Sequence, residues 1–190
     1  MYNINMKLIL LKMLIFIILF PVICFIAGIY GFLHDQISYT VSPEYFTQLK
    51  FAQFNIQNNL HNRLGAGIVG IMATWWMGII IGIIIIPIGL IIPNWKNYLK
   101  IMLKSFIYVS LTAFIIGIIA LFYGLIFFNV NNLPNFNIPN NVIDKVNFCV
   151  IGNMHNFSYI GGLVGILVGI VYIVIKKIKI KKCLFKEINE

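Results

Sequence analysis

The chain has 190 residues, of which 61% are hydrophobic and only 10% charged, with a mean hydropathy of +0.94 and a net charge of +9. So few charges cannot cover a water-facing surface, which excludes a soluble domain and makes the bilayer the expected solvent. The positive balance does not point to nucleic acid, because eleven of the fourteen basic residues flank long apolar runs in three clusters.

Lys7 and Lys12 open the first apolar run, which spans about residues 8–33. A secretory signal core is roughly 7–15 apolar residues long, so this longer run is expected to stay as a transmembrane helix. The segment after it begins His34-Asp35-Gln36 and continues Ile37 to Val41 with apolar and hydroxylic residues in alternation. That alternation predicts a short strand. Ser42-Pro43-Glu44 then reads as a helix start, with Ser42 as cap, Pro43 in the first position and Glu44 near the positive end of the dipole. The short helix that follows, from Tyr45 to about Phe54, carries four aromatic residues and is expected to lie at the membrane interface.

The second span covers about residues 64–92 and contains Pro87, which removes a backbone donor and favours a kink. Ala66, Gly70, Thr74, Gly78 and Gly82 recur every fourth position along it, and Gly161, Gly165 and Gly169 repeat the device in the fourth span. In lipid, small residues at this spacing let helix backbones approach closely, so the second and fourth spans are expected to form the central pair. Trp75 and Trp76 are expected in the aromatic belt at the outer interface. Lys96, Lys100 and Lys104 separate the second span from the third, at about 101–128. An Asn-rich connector with Pro134 and Pro139 follows, over 129–155, and the fourth span covers about 156–175. Lys176, Lys177, Lys179, Lys181, Lys182 and Lys186 then make a basic tail over 176–190. About 20 residues suffice to cross the hydrocarbon core, so the whole chain reads as one all-α, four-helix membrane domain with a structured loop between the first two spans. Lysine-rich segments stay in the cytoplasm, which puts both termini inside and the segments 34–63 and 129–155 outside. Cys24, Cys149 and Cys183 lie at three different depths, so no disulfide is expected.

The runs His34-Asp35-Gln36 with Ser38-Tyr39, Ser42-Pro43-Glu44-Tyr45-Phe46, Ala73-Thr74-Trp75-Trp76, and His155-Asn156 with Ser158-Tyr159 and Gly161-Gly162 resemble those of an uncharacterised family of bacterial integral membrane proteins. The resemblance implies a bacterial cytoplasmic-membrane location and a four-helix fold. It carries no activity to any residue.

The topology brings His34, Asp35, Gln36, Glu44, His155 and Asn156 to one side of the membrane as an outer polar cluster. Imidazole nitrogens and a carboxylate suit zinc or a similar divalent ion, with His34, Glu44 and His155 as the candidate ligand set; no cofactor is required by the sequence, and a divalent metal is the candidate these residues offer. The competing expectation is a hydrogen-bond network that anchors the outer loop. No span carries a charge at its middle, which argues against an ion-coupled transporter. The expected function is therefore a non-enzymatic membrane protein that docks a partner protein or lipid. The alternatives are a metal-assisted hydrolase at the outer leaflet and, third, a small channel or transporter. The expected partners are the bilayer, anionic inner-leaflet lipid at the basic tail, and a membrane protein or second copy of the chain.

Overall fold

The computed structural model describes the backbone of residues 2–189 and the side chains of residues 6–183. Four long helices dominate it: α1 (Tyr2–Val41), α2 (Arg63–Gly89), α3 (Trp95–Phe127) and α4 (Lys145–Asn189). All four are long and apolar enough to cross a membrane, over Met6–Val41, Arg63–Gly89, Trp95–Phe127 and Lys145–Cys183, which is the architecture of a multi-pass membrane protein. The side chain of Lys186, the last lysine of the tail cluster, lies outside the described residues.

Two boundaries differ from the sequence expectation, and both differences move functional residues. Ile37 to Val41 is not a strand; it is the last stretch of α1. The hydroxyls that produce the alternation bond back within the helix, Ser38 Oγ donating to His34 O at 3.2 Å and Thr40 Oγ1 to Gln36 O at 2.9 Å. Such bonds to the i−4 carbonyl let Ser and Thr continue a helix. At the other end of the chain α4 starts at Lys145, not near residue 156. Asp144 accepts from the Asn147 amide at 3.0 Å as a cap, and Phe148, Cys149, Val150 and Ile151 are buried in the first turns. His34 and His155 are therefore interior residues of long helices rather than loop attachments.

The segment after α1 does begin as expected. Ser42 Oγ accepts from the Tyr45 amide at 3.3 Å with Pro43 in the first turn. A continuous helical run follows, through Pro43–Tyr45, a π turn at Phe46–Lys50, and Phe51–Gln53. It stops at Asn55, whose φ of 52° is a left-handed conformation that Asn tolerates better than most side chains. Asn62 then caps α2, accepting from the amides of Leu64 and Gly65, and Asn94 caps α3 through Lys96 N.

Packing corrects the expected central pair. The small-residue stripe of α2 faces α1, not α4. Gly70 lies against Gly31 backbone to backbone, Thr74 Oγ1 donates to Ala27 O at 2.7 Å, and a methyl on Gly78 would sit 2.6 Å from Cys24 Cα. Gly82 meets the Phe20 ring. The stripe of α4 faces α3: a methyl on Gly161 or Gly165 would lie 2.8 Å from Ala113 Cα or Val109 O, and one on Gly169 would lie 2.7 Å from Ser105 Oγ. Each stripe thus packs closely on the helix adjacent in sequence, the partner reached by the shortest connection. The bundle is built from two close pairs, α1 with α2 and α3 with α4.

Two apolar clusters fill the bundle. One, with Leu19, Ile85, Tyr98, Met102, Phe106 and Ile173, lies toward the lysine-rich end. There Lys12 Nζ donates to Leu90 O at 2.7 Å and Ile92 O at 2.6 Å, satisfying carbonyls that the end of α2 leaves free. The other, with Tyr45, Phe46, Phe51, Phe148, Ile151 and Met154, closes the end that carries the long loops. Between them along the helices lies a polar interior.

Candidate functional site

The polar interior is built by α1 and α4. His34 and Asp35 point inward from α1, Ser38 follows His34 one turn later, and His155 and Ser158 face them from α4. The two imidazole rings are 4.8 Å apart and perpendicular. His34 Nδ1 lies 3.0 Å from Asp35 Oδ1, and His34 Nε2 is hydrogen-bonded to Ser158 Oγ at 2.9 Å. His155 Nε2 is 3.5 Å from the same Asp35 oxygen and 3.2 Å from Ser38 Oγ. Exposure is 3% for His34, 2% for Asp35 and 8% for His155, so the cluster is inside the bundle.

Asp35 is the unusual member. Its Oδ2 is buried and has no hydrogen-bond partner, and its ion-pair partners among the described residues are the two histidines alone. A carboxylate removed from water without a cation is costly, and in a membrane span such a residue marks function more often than support. The nearest cationic influence is Lys50 on the loop helix. Its ammonium donates to Gln53 Oε1 at 3.0 Å and lies over the Tyr45 ring, and burial lowers its pKa while the Asp35 charge acts in the opposite sense.

A cavity of about 60 Å³ adjoins the cluster and is lined by Tyr30, His34, Asp35, His155, Ser158 and Thr74 among others. One water needs roughly 10–15 Å³ measured this way, so the space admits a small ion with its remaining water ligands. The Tyr30 hydroxyl, also buried and without a partner, lines the cavity. Toward the loop end the cluster is roofed by aromatic rings, Tyr45 at 5.0 Å and Phe46 at 6.4 Å from His155. Burial and the neighbouring Asp35 and Tyr159 raise the Tyr45 phenol, which keeps the roof uncharged.

Of the six residues read from the sequence as one outer cluster, the structure brings three together. Glu44 is elsewhere: its two carboxylate oxygens accept from the amides of Ile143 and Asp144, at 3.1 and 2.8 Å, and tie the loop helix to the start of α4. It is therefore not a partner of the histidines, and Asp35 holds the carboxylate position instead. Gln36 Nε2 donates to Arg63 O at 3.1 Å, joining α1 to α2, and Asn156 is exposed on α4. Trp75 and Trp76 are exposed and do not line the cavity. Sequence reasoning missed Ser38, Ser158 and Tyr30 as parts of the site. Their signal was helical spacing, since each lies three or four positions from a histidine and so shares its face.

The donor set could hold a divalent cation. Tetrahedral bonds of about 2.1 Å imply ligand edges near ~3.4 Å, and the edges from Asp35 Oδ1 to the two imidazoles are 3.0 and 3.5 Å. His34, Asp35 and His155 each offer a ligand atom within 4.8 Å of the others. Ser158 supplies what a metal-bound imidazole requires on its other nitrogen, a hydrogen-bond acceptor that fixes the tautomer. Comparison with protein-family models, with curated proteins and with solved structures returned no match.

Proposed function

We propose that this multi-pass membrane protein works at a divalent-cation centre made by His34, Asp35 and His155, and that the centre serves hydrolysis within the membrane. The observation that carries the reading is the buried, half-unpartnered Asp35 carboxylate held between two imidazoles beside a cavity. All three side chains have a use in this reading, and the buried negative charge gains its counter-ion. His34, Asp35 and His155 would hold the cation with three protein ligands, the number found in catalytic rather than closed structural sites. A cation there would lower the pKa of bound water and polarise a carbonyl oxygen. A partner-docking role, by contrast, needs its polar residues on the surface, whereas these are buried. The lysine distribution supports cytoplasmic termini and a centre nearer the outer leaflet, and the family resemblance supports the bacterial cytoplasmic membrane.

One observation favours a second reading. Ser158 Oγ, His34 Nε2, His34 Nδ1 and Asp35 Oδ1 form a continuous relay with links of 2.9 and 3.0 Å, as in a nucleophilic serine site. That reading leaves His155 only an orienting role toward Asp35. Purified protein decides between the two. The cation reading expects bound zinc or manganese that His34→Ala or His155→Ala removes and Ser158→Ala retains. Labelling of Ser158 by a fluorophosphonate, with wild-type metal content no higher than that of the histidine variants, would replace it with the serine reading.

A further inference from the structure

We infer that the centre takes its substrate from the bilayer, sideways between α1 and α3, and that the substrate is an acyl lipid. This rests on the catalytic reading above and adds the ligand class. The first observation is an apolar groove of about 550 Å³ on the outside of the bundle, with Ile29, Leu33 and Ile37 of α1 on one wall and Ile107, Leu111 and Phe114 of α3 on the other. Its volume falls within the roughly 300–1,000 Å³ of ordinary ligand sites. Tyr30 and Ser110 line both this groove and the cavity beside His34 and Asp35, so the two spaces meet at these side chains. The groove follows the seam between the two close helix pairs, where no small-residue stripe holds the backbones together.

The second observation is that aromatic side chains cover the cluster on its loop side. Tyr45, Phe46, Phe51 and Phe148, all 6% exposed or less, cover the loop end, with Tyr45 and Phe46 packed toward His155. A water-soluble substrate would have to displace this roof, whereas a lipid chain already lies beside the groove. Ile29, Leu33, Ile107 and Leu111 are exposed on faces that the span assignment gives to hydrocarbon. Among the described residues the groove's polar side chains are Tyr30 and Ser110, where it meets the cavity. An acyl chain seated along Ile29 and Leu111 brings its ester or amide linkage to Tyr30, whose hydroxyl is unpartnered.

The test uses the full-length protein in vesicles of phosphatidylcholine and phosphatidylglycerol, the latter carrying a diazirine on one acyl chain. After irradiation, adducts should concentrate on residues 26–37 and 107–114. A variant with Ile29→Trp and Leu111→Trp, which fills the groove from its bilayer side, should lose about tenfold of that labelling while keeping wild-type metal content. Adducts spread evenly over outward positions such as Ile83 and Ile119, or indifferent to the two tryptophans, would overturn the inference whether or not the variant folds well. Concentrated adducts on a wild-type protein that holds no metal would sink the cation reading and leave the lipid groove standing.

Discussion

Asp35 concentrates the case for chemistry in one side chain. A residue kept for support should lose stability when its polar group changes, whereas one kept for a cation should lose only the cation. With a single carboxylate oxygen unpartnered and no lysine or arginine paired to it among the described residues, Asp35 is costly to keep ionised without a cation. Asp35→Asn is therefore expected to abolish metal binding while leaving the melting temperature of the chelator-treated protein equal or higher. A lower melting temperature in chelator, measured by differential scanning fluorimetry in detergent, would assign Asp35 to support. Ser42 has the opposite character. Its hydroxyl accepts from Tyr45 N, and Ser42→Ala should cost about 1 kcal/mol of stability with metal content unchanged.

At the scale of elements, the helix pairs are held by close backbone approach, so the glycines in the contacts have no room to grow. Gly78→Leu must push α1 away from α2 at Cys24, and Gly165→Leu must push α3 away from α4 at Val109. Overpacking of this kind typically costs about 1–3 kcal/mol, and each variant should unfold at lower denaturant than wild type. Equal midpoints would mean that the pairs are not held along these stripes. The loop helix is a second kind of element, a roof tied at its start: the Ser42 amide donates to Ser38 O of α1, and Glu44 accepts from the amides of Ile143 and Asp144 just before α4. Glu44→Ala should loosen the roof and free the amides of Ile143 and Asp144, read as faster hydrogen exchange at residues 143–148.

For the whole molecule, a cation bound in the native state and not in the unfolded one should raise the melting temperature with concentration, by the ordinary linkage of binding to folding. Adding zinc to chelator-stripped protein should therefore raise the midpoint, and His155→Ala should remove the rise. The molecule's orientation is exposed to a separate measurement. Lysines crowd the end opposite the aromatic roof, so tags at either terminus should be inaccessible from outside intact cells; surface labelling of either tag would invert the molecule and put the site near the inner leaflet.

Four spans, their approximate places and the Ser42 helix start were legible in the chain because each rests on a local property: apolar length or capping chemistry. The two histidines could be assigned to one side by counting residues along the helices. Beyond that, local pattern misled. Ile37 to Val41 alternates like a strand, yet its hydroxyls are satisfied inside α1, and five residues of alternation cannot tell those two outcomes apart. The stripes of α2 and α4 announced close packing without naming a partner, since Cys24, Ala27 and Gly31 on α1 and Ser105, Val109 and Ala113 on α3 supply equally small surfaces. Which carboxylate joins His34 and His155 was decided only in three dimensions. Glu44 and Asp35 are both near in sequence, but the backbone amides at the start of α4 take Glu44, and the inward turn of α1 carries Asp35 into the space between the rings. Side-chain chemistry limits what a site can bind, and the rotation of one helix against another determines which side chains meet there.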